Sequence, residues 1–193
     1  MINIGLDISI HSTGICCEKD DKRMFILVVS SEKRDKILKK MANLNDVIIL
    51  NFERSGDNLT DGKRAGHCAA QAIKELQRIW KDNKLAVLKE DFAYAAQWNT
   101  LTQLVEYTSL FVDSFQTELG VTVHSYAPKH IKKLFTGNGN ADKTKMHLEF
   151  LNRNLNGDFS NFCKQYDIAK PHTNDLIDAF AIVECLRKIM NEQ

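Results

Sequence analysis

Four carboxylates are spaced so that strand ends and a helix start could gather them: Asp7 in INIGLDIS, Glu90 in AVLKEDFAY, and Asp175 and Asp178 in TNDLIDAFA. In the first segment Ile2, Ile4, Leu6 and Ile8 alternate with Asn3, Gly5, Asp7 and Ser9, the period of a strand with two different faces. An acid on such a strand is costly to bury unless something neutralises it. The second segment runs apolar from Leu85 to Leu88 and ends in the acidic pair Glu90-Asp91. Adjacent strand residues point to opposite faces, so only one of Glu90 and Asp91 serves a common site. In the third segment acids three apart share one face of an apolar helix. Acids converging in a cleft raise one another's pKa and need a counter-charge, which a hard divalent cation such as Mg²⁺ supplies.

A second concentration of charge is basic. Lys129, His130, Lys132, Lys133, Lys143 and Lys145 lie in one stretch with Asp142 the single acid among them. The formal net charge of +1 argues against bulk polyanion binding, but a local basic patch beside acids still suits phosphate. The segment GNGNADKT has Asp142 where a phosphate-binding P-loop requires glycine, and no strand leads into it. A nucleotide cofactor is therefore not expected. The six histidines show no metal-ligand spacing, although His11 follows Asp7 closely enough to contact it. Tyr94 and Phe92, just beyond Glu90, are candidates for stacking on bases.

These residues need elements to position them. Residues 2–9, 14–18 and 24–30 read as an antiparallel meander joined by turns at 11–14 and 20–22. A short charged helix (32–43) leads to a β-rich run at 47–52, then a polar loop at 53–61. Ala69, Ala72, Ile73, Leu76, Ile79 and Trp80 set a helix over 62–81. A buried strand at 85–90, a long amphipathic helix at 98–118 stopped by Gly120, and a strand at 121–126 follow. Pro128 opens a short helix, 136–141 is a glycine-rich loop, and Asp142 caps a helix at 143–153. Residues 154–171 read as irregular; Thr173 or Asn174 then caps a last helix running to about 190. Strands joined by crossover helices run parallel. The expected architecture is a mixed α/β sheet of five strands, antiparallel over the first three and parallel afterwards, with helices on both faces.

At 193 residues, 44% hydrophobic and 26% charged, the chain suits a single domain over 1–193. No apolar stretch approaches the ~18 residues of a membrane span, and no secretory signal is evident, so a cytosolic setting (bacterial or infected-cell) is expected. Five scattered cysteines without CxxC pairs read as buried thiols in a reducing compartment rather than a zinc site.

The order of elements and the acids together resemble the RNase H-like superfamily, and within it the RuvC-type Holliday junction resolvases. IGLDISIHSTGI resembles that family's first hairpin, LKEDFAY its Glu-bearing strand, APKHIKKLFTGNGNADKTKM its lysine-bearing stretch, and NDLIDAFAIVECL its final helix. The likeness extends over nearly the whole chain in the right order. The chain departs from the bacterial pattern in lacking Pro-Gly after Asp7, in a longer 31–61 region, and in having Ala93 where an aromatic is expected. Those departures suggest a phage or viral member.

The resemblance implies a crossover junction endodeoxyribonuclease that nicks four-way DNA junctions symmetrically, in recombination, repair or replication. It implies two Mg²⁺ ions per site, with Mn²⁺ a candidate substitute. Asp7 would bridge them, Glu90 would hold one, and Asp175 and Asp178 the other. Lys143 would stand near the scissile phosphate, with Lys132, Lys133 and Lys145 on the DNA backbone. A homodimer is implied, for which the flank Gln103, Tyr107, Leu110 and Ser114 of the 98–118 helix is the candidate contact. Two alternatives remain: a broader flap or branched-DNA nuclease of the same fold, and a junction-binding protein without catalysis.

Overall fold

Alternation in the first strand decides which layer each side chain joins. The computed structural model describes residues 1–30, 36–92, 98–166 and 172–191. Strands β1 (Ile2–Asp7), β2 (Ser12–Lys19) and β3 (Lys22–Ser30) form the antiparallel meander. After α1 (Lys36–Met41) come β4 (Val47–Phe52), α2 (Asn58–Trp80), β5 (Leu85–Glu90), α3 (Trp98–Leu119) and β6 (Val123–Tyr126). Helices α4 (Pro128–Thr136), α5 (Lys143–Asn152), α6 (Asp158–Cys163) and α7 (Thr173–Asn191) complete the described chain. Among the described residues, no helix is long and apolar enough to cross a membrane.

The sheet has six strands in the order β4-β3-β2-β1-β5-β6, not the five expected. The additional one is the 47–52 run, which pairs parallel to β3 from Phe25↔Val47 to Ser30↔Phe52. A short apolar run between a charged helix and a polar loop does not announce its partner, and only pairing makes it a strand. Two further expectations are corrected. Helix α2 begins at Asn58, capped by Asp57, whose side chain accepts from the Thr60 amide, so half of the predicted loop is helical. The irregular 154–171 stretch contains α6, and α7 already includes Thr173.

Ile2, Ile4 and Leu6 enter a core shared with Ala65, Ala69 and Ile73 of α2 and Phe111 and Phe115 of α3. Gly62 and Gly66 let α2 lie directly on α3, since a Cβ at either would strike the Tyr107 or Phe111 carbonyl. Tyr107 and Ser114 are consequently buried inside the chain, whereas Gln103 is exposed and Leu110 half-buried, so only part of the helix flank expected to meet a second copy faces outward. On α3 the exposed positions include Gln103, Val105 and Ser109. The opposite core joins Cys16, Phe25 and Leu27 to α4, α5, α6 and α7. Cys16 and Cys17 face opposite cores, and all five cysteines are free.

Direction matters more than strand count. β1, β5 and β6 run parallel, as do β3 and β4, and β2 opposes both β1 and β3. Five strands therefore end at the same edge of the sheet, and β2 begins there. Clefts outside the carboxyl ends of strands are where such sheets take ligands.

Helix α7 reaches that edge by lying flush on the sheet. A Cβ at Gly5 would land on the Ala179 carbonyl, and one at Gly14 on the Asp175 carbonyl. Gly14 is also the cross-strand partner of Asp7. Gly14→Ala should therefore destabilise the protein by about 1–3 kcal/mol through overpacking. Urea unfolding measures this, and a parent-like midpoint would contradict the described seat of the helix.

Candidate active site

Asp7 closes β1 and Glu90 closes β5, and the parallel register (Leu6↔Lys89) sets the two carboxylates side by side on one face. From above that face, the first turns of α7 bring Asp175 and Asp178. Asp175 rests over Gly14, one strand from Asp7, a spacing of about 5 Å between strands. Asp91 turns away: it is exposed, its carboxylate lies 3.8 Å from Lys89, and its amide donates to the Tyr126 carbonyl. Of the adjacent pair, Glu90 is the one that faces Asp7.

The electrostatics follow from the crowding. Burial pushes the Asp7 carboxyl well above its ordinary range, and Asp178, Asp175 and Glu90 push it further, with Lys143 opposing. Asp178 is raised to about 7, first by burial, then by Glu90 and Asp175, against Lys132 and Lys143. Burial also raises Glu90, with Lys132 and Lys89 pulling it down. Four acids thus act on one another across a half-buried cleft, and two lysines from separate helices offset part of their charge.

The basic stretch divides. Lys132 on α4 and Lys143 at the start of α5 act on the acids. Lys133 is exposed and borders a different depression, with Tyr126, His130 and Lys188. Lys145 is exposed, and its amide is taken by the Asp142 cap at 2.8 Å. Phe92 lines a groove of about 200 Å³ with Asp7, Glu90, Leu104, Thr108 and Pro128. The Lys89 ammonium sits 5.0 Å from its ring centre. Tyr94 lies outside the described residues.

Two neighbours of the acids were not singled out in the sequence. The Ser12 hydroxyl donates to Asp175 Oδ2, and His172 Nδ1 lies 3.8 Å from the same oxygen. Ser12 is nearly buried, and its place in the Ser-Thr-Gly of the hairpin was its one signal. His11, the histidine expected near Asp7, instead stands 3.4 Å from Arg54 Nη1.

The donor set is all oxygen, in a cleft where like charges raise one another's pKa. That fits a hard divalent cation held by Asp7, Glu90, Asp175 and Asp178. Among the described residues no group of three or more His, Cys, Asp or Glu side chains is arranged so that it could hold a metal ion as it stands; carboxylates without a counter-ion repel one another.

A carboxyl raised in the folded state keeps its proton when the unfolded chain has lost it. Its contribution to stability is full below the ordinary value of 3.8 and is lost as pH rises through about 7. Without divalent cation, stability should therefore fall between those pH values. Asp178→Asn should flatten that decline, as read by melting temperature across a pH series; a parent-like slope in the variant would contradict the assignment.

No protein-family model and no curated protein sequence matches the chain. Solved structures similar to it include two of RuvC. Thermus thermophilus RuvC is 16% identical with a TM-score of 0.54, over 99% of this chain and 97% of that one. T. thermophilus RuvC in complex with Holliday junction substrate is 14% identical with a TM-score of 0.56, over 100% and 96%. From end to end, this chain has the fold of RuvC.

Proposed function

We propose that the protein is a Mg²⁺-dependent endonuclease that resolves four-way DNA junctions by paired, symmetric nicks. The observation that carries this reading is the meeting of Asp7, Glu90, Asp175 and Asp178 at the carboxyl edge of the sheet, with Lys132 and Lys143 beside them. The likeness to RuvC supports it, one of the similar structures being solved with a Holliday junction.

In this reading the four carboxylates hold two cations, which when bound supply an activated water and stabilise the charge of phosphodiester cleavage. Lys143 and Lys132 neutralise the phosphates entering the cleft without reading bases. Ser12 fixes the orientation of Asp175 through its hydroxyl. Phe92, at the groove beside Asp7 and Glu90, offers a stacking surface to an unpaired base.

Two nicks related by symmetry call for two copies of the site, hence a homodimer. The outward face of α3 around Gln103, Val105 and Ser109 is its candidate contact. The burial of Tyr107 and Ser114 favours a second reading as well, a monomer cutting flaps or forks.

Cleavage of a synthetic junction, with linear duplex and flap controls, decides between these. Junction cutting should require Mg²⁺, and Asp7→Asn should abolish it. Ser12→Ala should lower it about 10–100-fold, the usual cost of losing a side chain that orients a metal ligand. Parent-like cutting by Asp7→Asn would overturn the enzyme reading. Flap cutting by a protein that elutes as a monomer, on DNA and off it, would favour the second.

A further inference from the structure

Another charged constellation lies at the same sheet edge, on the side of the hairpin away from Glu90. The chain leaving β4 carries Arg54, and α2 begins just beyond it. Asp61, in the first turn of α2, is fully buried. Its Oδ1 accepts from the Ser55 amide at 2.7 Å and the Ser55 hydroxyl at 2.9 Å, and its Oδ2 accepts from Arg54 Nε at 3.2 Å. Burial alone would raise this carboxyl, but Ser55 and Arg54 bring it below its ordinary value, so it is a fixed anion. Asp57 is taken up in capping Thr60, and Glu53, next to Arg54 in the chain, is exposed.

Asp61 thus grips one edge of the guanidinium and fixes how the rest is presented. The Arg54 side chain keeps 18% exposure, and among the described residues no acceptor meets its Nη2. Its Nη1 faces His11 Nδ1 at 3.4 Å. Arginine has only donors, so the ring accepts at Nδ1 and carries its proton on Nε2. His11 is exposed on the turn between β1 and β2. The same turn holds Ser12, which contacts Asp175. The guanidinium Nη2 and the imidazole Nε2–H are held together at an exposed turn, and among the described residues no acceptor meets either; this donor pair suits a phosphate oxygen.

We propose that Arg54 and His11 form a second phosphate contact for DNA, on the β4 side of the sheet edge, while Lys132 and Lys143 serve the β5–β6 side. This rests on the nuclease reading above. It gives a role to β4, which delivers Arg54 to the hairpin. The DNA would span the acidic cleft, held at both rims.

The test is junction binding by the full chain, followed by fluorescence anisotropy in EDTA over a salt series. The double variant Arg54→Ala/Asp61→Asn removes the cation without leaving a buried charge unpaired. It should bind about tenfold more weakly, with the salt slope reduced by about one unit. His11→Ala, on an exposed turn, should also weaken binding, and it carries the test if circular dichroism shows the double variant unfolded. Lys132→Ala is the comparator for the other rim. Parent-like affinity and slope in the folded Arg54 and His11 variants, with Lys132→Ala weakened, would overturn this inference and leave the nuclease reading standing. A parent that binds no junction would overturn both.

Discussion

Helix α7 can lie against the centre of the sheet because Gly5 and Gly14 leave no side chain between its backbone and the strands. Backbone contact of this kind is unforgiving, since close-packed interiors do not absorb even one extra methyl without a shift. It fixes where the first turns of the helix stop, over the strand partner of Asp7. The meeting of acids from opposite ends of the chain depends on that seat. A helix held a side chain's thickness away would keep its acids and lose their proximity.

The same seat creates an electrostatic problem. Burial raises Asp7, Asp178 and Glu90, and at Asp7 and Asp178 the neighbouring carboxylates raise the pKa further. Most buried acids in folded proteins escape by pairing, as Asp61 does with Ser55 and Arg54. The cleft acids have only partial relief from Lys132 and Lys143. Acids left under-compensated at a strand edge, while Asp61 nearby is compensated, mark the cleft rather than Asp61 as the candidate functional site.

Strand direction extends the contrast along the edge. Because every strand but β2 ends there, loops from β4, β1, β5 and β6 all open on one rim. The acids and the lysines of α4 and α5 occupy the middle and one side of it. The β4 loop and the hairpin turn supply the other side, with Arg54 and His11.

Much of this was written in local sequence. Alternation in 2–9, the helical period of 62–81 and 98–118, the Asp142 cap and the acids at strand and helix ends are short-range signals. They placed each element and each acid on a defined face. What a local pattern cannot carry is pairing. The 47–52 run became a strand only by lying beside β3, and α6 appeared only because Phe159 and Phe162 had a core to enter. Tyr107 and Ser114 looked like one polar-edged flank of an amphipathic helix until Gly62 and Gly66 drew α2 over them. Glu90 and Asp91 were equivalent by spacing, and β5's register with β1 separated them. Likewise Ser12, Arg54 and Lys132 gained their meaning from distant partners. Side-chain identity and period are properties of neighbours along the chain, whereas charge compensation and burial are properties of neighbours in space, and only the tertiary structure decides those.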